Sequence, residues 1–388
     1  MRLSKQIFTL SSITFLVILV VGGVYFLIFD NGSAKKTVVE KDPSEKEDSL
    51  LKRMLPSKAP EEKKIEAISE ESAISAALTP DGQFIRYYSK SGQAFELDFF
   101  TGEKKTLSSY ELPGIIDALW SPDTTKAFSK FSKGEKTVFS LYDYIQGKGT
   151  ALNENIVSVA WQGSGKIIYA YFGPDGKNGS LNISDPDGSD WNKITDLSEK
   201  NIVIAPVPMS GTVSFWKKPD ANSETLLQTS SIINGEKKDL TKGFFGADFL
   251  WSPDGTMILE SNIDKKGGSK IQLGIMDDSG KNYRSLNIPT LVSKCAWSKD
   301  SRFIYYAQPT SIPENAAMPN DYANKKFTTN DTFWKVDVKT GEKTRLIELA
   351  ELEKLGSNHD ATSLFLNSNE SQLFFINRID GKLYKLAL

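Results

Sequence analysis

The sequence predicts an all-β protein, a seven-bladed β-propeller with four-stranded blades, preceded by one amino-terminal transmembrane α-helix and a charged linker. Three observations carry this. A short turn phrase recurs at a near-constant interval, each copy stands between two β-rich runs, and an uncharged apolar stretch opens the chain.

The phrase is fullest as WSPDG, Trp251–Gly255, with weaker copies in SPD at Ser121–Asp123, TPDG at Thr79–Gly82 and WSKD at Trp297–Asp300. Aligned on the residue before each turn, the anchors are Leu78, Trp120, Trp161, Val207, Trp251, Trp297 and Leu366, at intervals of 42, 41, 46, 44, 46 and 69 residues. Each anchor ends an apolar run and the turn leads into another, such as KIIYAYF (Lys166–Phe172), MILES (Met257–Ser261) or RFIYYA (Arg302–Ala307). These are two strands and a hairpin. The second half of each unit repeats a strand, a Gly/Asp turn and a last strand, as in FELDFFTGEKKTL (Phe95–Leu107), LNISDPDGSDWNKIT (Leu181–Thr195), LGIMDDSGKNYRSL (Leu273–Leu286) and FWKVDVKTGEKTRLI (Phe333–Ile347). Four strands per ~40–45 residues is the period of a propeller blade.

The phrase itself reads as architecture. Pro fixes φ, Asp hydrogen-bonds the backbone that follows it, and Gly accepts positive φ, while the aromatic before the turn packs between neighbouring blades. Trp120, Asp123, Trp161, Trp251, Asp254, Gly255, Trp297 and Asp300 are therefore assigned to repeat turns, not to chemistry. The repeats resemble the WD40-like (PD40) β-propeller repeat of the TolB family, in which a WSPDG turn joins the first two strands and a DADG-type turn the last two. The resemblance spans about Glu61 to Leu388. It is clearest in the second and fifth units and departs in the fourth, APVPMSG (Ala205–Gly211), and in the last, LNSNES (Leu366–Ser371). It implies protein–protein contact in a cell envelope. No TolB amino-terminal domain is recognisable, so no partner is carried over.

The last unit, TSLFLNSNESQLFFINRIDGKLYKLAL, supplies only three strands. The segment EEKKIEAISEESAISAALTPDG parallels GEKKTLSSYELPGIIDALWSPD one unit later, which places Lys63–Ile68 on an outer-strand position. Residues 61–72 are thus expected to complete the last blade, and 61–388 to form one domain whose ends close the ring, removing exposed sheet edges.

Before that domain stand a short flank at 1–6, the apolar run Ile7–Phe29 and a linker over 30–60. A helix over the run spans ~35 Å, enough to cross a bilayer. A cleaved signal peptide has a shorter apolar region, ~7–15 residues, so a single-pass signal-anchor is expected. Arg2, Lys5 and the terminal amine hold the start inside, against Lys35 and Lys36 on the other flank, which places the propeller on the extracytoplasmic side of the cell membrane. The linker is rich in Lys, Glu, Asp, Ser and Pro and too poor in apolar residues to offset its ordering entropy; as a coil it reaches roughly 30 Å.

Composition excludes more than it assigns. Lys plus Arg number 47 against 49 Asp plus Glu, so no general charge favours nucleic acid. One cysteine and one histidine cannot build a Cys/His zinc site. Cys295, in the apolar run Val292–Trp297, is expected to be buried. Ser184–Trp191 approaches a calcium loop or an Asp box but misses both patterns, with Pro186 where the Asp box has its acid, and reads as a turn between outer strands. No G-x-S-x-G is present, and His359 beside Asp360 reads as an exposed loop histidine. No cofactor, no metal and no catalysis are expected.

Recognition is expected elsewhere. Pro309–Asp331 is a long insertion without strand pattern, between the second and third strands of the sixth unit, and the link Glu351–Ala361 emerges on the same face. Met318, Asn320, Tyr322, Lys325, Lys326, Phe327 and His359 are the expected contacts for an envelope protein partner. Lysine pairs at Lys217–Lys218, Lys265–Lys266 and Lys325–Lys326 sit on loops of that face and suit an acidic partner or an anionic envelope polymer. The alternative is a propeller that binds or cleaves polysaccharide at its central channel.

Overall fold

The computed structural model describes residues 64–134 and 136–388. The apolar run at 7–29 and the linker at 30–60 lie outside the described residues; among the described residues no helix is long and apolar enough to cross a membrane.

The chain runs as successive antiparallel meanders. Ala73–Leu78, Phe84–Ser89, Ala94–Asp98 and Lys104–Thr106 make the first sheet; Ile115–Trp120, Lys126–Lys133, Lys136–Asp143 and Lys148–Ala151 the second; Ile156–Gln162, Lys166–Phe172, Gly179–Ser184 and Asn192–Leu197 the third. A sheet of seven strands follows, from Ile202–Pro206 through Thr212–Lys217, Glu224–Ser231, Lys237–Trp251, Met257–Ile263 and Ile271–Asp277 to Arg284–Ser285. It is two four-stranded meanders that share the long strand Lys237–Trp251, whose register breaks between Phe245 and Asp248. The repeat spacing predicts two strands and a link here; the polypeptide instead runs from the outer edge of one meander to the inner edge of the next, bending at Gly243 and Gly246, both in the left-handed region. Cys295–Trp297, Phe303–Pro309, Asp331–Asp337 and Lys343–Arg345 form the next sheet.

The last sheet joins the two ends of the fold. Ala361–Leu366, Gln372–Asn377 and Leu383–Ala387 take Ile65–Ala67 as their outer strand, with Ile65 opposite Leu386 and Ala67 opposite Tyr384. The Ala387 amide donates to the Lys64 carbonyl at 2.9 Å, and the Ile68 amide to that of Leu383 at 2.8 Å.

Middle strands such as Lys166–Phe172 are buried on both faces, which explains their near-continuous apolar sequence. The cores lie between successive meanders: Phe128 and Leu141 of the second sheet meet Trp161 and Tyr169 of the third, Ile168 and Leu181 of the third meet Ile204 and Phe215 of the sheet after it, and Trp216 and Leu227 meet Phe249 and Ile258 within the seven-stranded sheet. The circuit returns on itself, since Phe374 and Leu383 of the last sheet pack with Ile85, Tyr87 and Leu97 of the first.

Candidate functional site

The turn residues of the repeat bind one another. In Ser121–Asp123, Ser252–Asp254 and Ser298–Asp300 the serine hydroxyl donates to the aspartate at 2.6 Å. Each aspartate then accepts the backbone N–H two residues on at 3.1 Å, and each serine oxygen accepts the amide five residues on. The indole N–H of Trp120 donates to the Ser75 carbonyl at 2.8 Å, that of Trp161 to the Leu119 carbonyl at 2.9 Å, that of Trp297 to the Leu250 carbonyl at 3.4 Å and that of Trp251 to the Ser214 hydroxyl at 2.9 Å. Each of these tryptophans therefore ties its meander to the preceding one.

The insertion Pro309–Asp331 is folded. Its ends pair as strand residues, Pro309 opposite Asp331, and it contains the short helix Asn320–Ala323. Met318 and Tyr322, expected on the surface, are instead 1% and 5% exposed and pack with Ala316 against Ala221, Ile263, Ile271 and Leu291. The reason is composition: the segment carries enough apolar side chains to build its own small core on the loops beneath. Asn320 and Phe327 are half-buried, while Lys325 and Lys326 are exposed, Lys326 paired with Asp321 at 2.7 Å.

His359 also departs from expectation. It is 1% exposed, edge-on to Phe375 and Tyr384 and near Phe333, because the link before Ala361 turns inward instead of looping out. Burial lowers its pKa, against a smaller opposing pull from Asp380. The link Glu351–Ala361 begins within a helix, Leu349–Leu355.

Beneath the insertion lies a buried ionic cluster that the repeat pattern does not announce. The Lys294 ammonium, 1% exposed, donates to Asp331 Oδ2 at 2.6 Å, Asp360 Oδ1 at 2.8 Å and the Ala361 carbonyl at 2.9 Å, with Thr329 Oγ1 beside it at 3.1 Å. The Tyr322 hydroxyl donates to Asp360 Oδ1 at 2.6 Å. The Arg378 guanidinium lies 3.7 Å from the Tyr322 ring centroid and donates to the Tyr322 carbonyl at 2.7 Å. Burial disfavours the Lys294 charge, but Asp331, Tyr322 and Asp360 outweigh it and raise its pKa. Burial also pushes Asp360 up, yet Lys294 and the donors around it leave it below its ordinary value. The signal was a lysine inside an apolar run, LVSKCAW. Lys294, Asp331 and Asp360 have no open face, so the cluster fixes the insertion and offers nothing to a substrate.

The same insertion gathers the lysine-pair loops. Asn320 Oδ1 accepts the Ala221 amide at 2.7 Å, the Met318 amide donates to the Gly268 carbonyl at 3.0 Å, and the Gly267 amide to the Ala221 carbonyl at 2.8 Å. The loops carrying Lys217–Lys218, Lys265–Lys266 and Lys325–Lys326 are thereby stitched into one rim, on which Lys218, Lys265, Lys266, Lys325 and Lys326 are exposed.

Among the described residues, no group of three or more His, Cys, Asp and Glu is placed to hold a metal ion. In Ser184–Trp191, Asp187 accepts the Ser189 hydroxyl at 2.6 Å and Asp185 pairs with Lys166 at 2.6 Å. Cys295 is buried and its thiol pushed up by desolvation. Sequence reasoning passed over Glu260, which is 0% exposed, accepts from Asn262 at 2.9 Å, and is pushed up by burial to about 8.

No protein-family model matches the chain, and no curated protein matches it. Solved structures do. An oligogalacturonate lyase in complex with manganese aligns over 84% of this chain and 93% of its own, at 14% identity and a TM-score of 0.57. An oligogalacturonate lyase from Vibrio parahaemolyticus aligns over 83% and 93%, at 11% identity and 0.57. A β-propeller domain from Myceliophteria thermophila aligns over 84% and 99%, at 11% identity and 0.54. At these identities the likeness is one of fold, and together with the order of the sheets it makes the described residues a β-propeller.

Proposed function

We propose that this chain is a seven-bladed propeller, tethered to the cell membrane by residues 7–29, that binds an acidic surface of an envelope protein and performs no catalysis. The blade count takes the shared strand Lys237–Trp251 as the outer strand of one blade and the inner strand of the next. The observation that carries the binding role is the stitched rim: three loops bearing the exposed lysines Lys218, Lys265, Lys266, Lys325 and Lys326 are held together by an insertion that is itself locked by Lys294, Asp331 and Asp360. A surface fixed before binding loses little conformational entropy on association, and clustered positive charge steers an acidic partner toward it.

The test is to purify the full-length protein from its native cells with and without Lys265→Glu, Lys266→Glu and Lys325→Glu, and to compare the co-purifying proteins. A partner that is lost from the variant, and whose binding to the unaltered chain weakens with salt, supports the reading. An unchanged set of proteins sinks it. A second reading, an anionic polysaccharide on the same lysines, draws on the neighbours named as oligogalacturonate lyases. Binding of tetragalacturonate by the unaltered chain and not by the variant would favour it.

A further inference from the structure

A groove of about 670 Å³ opens on the outer half of the third sheet and is bordered by the link that enters it, Asn153 to Ile156. Its size falls within the ~300–1,000 Å³ of small-molecule sites. The lining combines aromatic side chains with uncharged polar ones: Tyr169 and Tyr171 on the middle strand, Ser180 and Asn182 opposite them on the next, and Trp191 from the following turn. Trp191 is 61% exposed. A large indole left in solvent by a turn with hydrophilic alternatives is not required by folding.

The register shows how this place is filled elsewhere. In the first, sixth and last units the residue equivalent to Asn182 is aromatic: Phe95 opposite Tyr87, Trp334 opposite Tyr306, and Tyr384 opposite Phe375; in the second, fourth and fifth it is Ser140, Gln228 and Gly274. Those rings fill the wedge between neighbouring sheets as they diverge. In the third sheet the place is taken by Asn182 opposite Tyr169, and the wedge stays open. Asn182 is 2% exposed. Its amide N–H groups donate to the Ser180 carbonyl at 3.2 Å and hydroxyl at 3.0 Å, whereas its carbonyl oxygen has no hydrogen-bond partner. A buried unpaired carbonyl is destabilising, and a donor supplied by a ligand would remove that cost. At the mouth, Lys193 and Asp196 neutralise each other at 2.6 Å, and Asp187 has Lys148 within electrostatic reach.

We propose that this groove is a saccharide-binding site for a short stretch of neutral polysaccharide, with Trp191 as the stacking platform and the Asn182 carbonyl accepting from a sugar hydroxyl or acetamido group. A pyranose ring presents an apolar C–H face and an edge of donors and acceptors. An exposed aromatic face beside a deep, unpaired acceptor matches both parts. Lys193, the one lysine lining the groove, is already paired with Asp196, so the lining offers a uronate no unpaired cation, which separates this site from the lysine rim of the proposed function; neither site depends on the other.

The experiment titrates the full-length protein, in a detergent without sugar head groups, with chitotetraose, cellotetraose and tetragalacturonate by calorimetry. At least one neutral tetrasaccharide is expected to bind, with tetragalacturonate weaker. Trp191→Ala is expected to weaken the neutral ligand about tenfold or more, the loss of one aromatic anchor. Asn182→Leu, of similar volume, removes the unpaired oxygen; it is expected to keep or raise Tm while weakening the sugar by a similar factor. The melt of each variant separates lost binding from lost fold. No binding of either neutral tetrasaccharide at millimolar concentration overturns the proposal, as does binding that both variants leave unchanged, or a preference for tetragalacturonate that survives Trp191→Ala.

Discussion

Single residues in this fold divide into those that close turns and those that store an electrostatic cost. Gly255 has φ +71°, and a Cβ there would stand 2.2 Å from the Pro208 carbonyl oxygen of the preceding unit. Thr124, Ser301 and Glu370 take the same place in their turns at φ 53°, 60° and 55° without being glycine. The contact with Pro208, more than the dihedral, therefore makes Gly255 irreplaceable; Gly255→Ala should cost about 2–3 kcal/mol by strain and overpacking, and a denaturant melt with an unchanged midpoint would refute it. Glu260 behaves differently. Its pKa is raised from 4.5 to about 8 by burial, with Asn262 opposing. Between those values the folded state keeps a proton that the unfolded state has released, so stability falls as pH rises across the window and levels off above about 8. Glu260→Gln should match the unaltered protein near pH 5 and exceed it at pH 8.5 by roughly 3–5 kcal/mol; melts that stay parallel across this range count against a neutral Glu260. The turn chemistry was legible because Ser, Pro, Asp and Gly have narrow conformational roles. Glu260 was not, since MILES looks like any strand and only its neighbours put the acid inside.

At the scale of elements, the insertion Pro309–Asp331 is where sequence and structure part. Prolines and the absence of alternation predict a loop without structure, yet Ala316, Met318 and Tyr322 are core and the segment is latched by Lys294. Its spacing in the chain was readable; its latch was not, because Lys294, Asp331, Asp360 and Arg378 come from separate stretches of the chain that only the ring brings together. His359 was misread for the same reason, as its aromatic neighbours Phe333, Phe375 and Tyr384 lie far off in sequence. A buried pair broken on one side leaves an uncompensated charge, so Lys294→Met should destabilise by about 3–5 kcal/mol. The effect belongs to the insertion: amide exchange should quicken across 310–330 and in the loops it covers, near Ala221 and Gly268, more than in the first three sheets. A uniform loss of protection over the domain would mean that the cluster supports the ring as a whole and not this element.

For the whole molecule, the repeat interval made the propeller legible, since turn, strand and aromatic anchor recur in step and each copy corroborates the rest. The shared strand Lys237–Trp251 shows the limit: one long ladder and a link between two strands have the same residue count, and their difference lies in φ at Gly243 and Gly246. Closure is the property no single unit possesses. Ile65–Ala67 joins Leu383–Ala387 across nearly the full length of the domain, and Leu383 donates to Ser69 Oγ at 2.9 Å. Ile65, 3% exposed, packs with Phe375 and Leu386. A carboxylate there cannot remain in that core, so Ile65→Asp should release the outer strand at a cost of about 3 kcal/mol or more. Because the last sheet also packs on the first through Phe374 and Tyr87, an opened seam should lower Tm by roughly 5 °C or more. It should also expose the edge of Leu383–Ala387 to pairing with other copies. Ile379→Asp, at a site already 48% exposed, is the control and should melt as the unaltered protein does. Equal melts for both variants, with no self-association on sizing, would show that the ring is held by its inter-sheet cores alone and that the joined ends contribute nothing to its integrity.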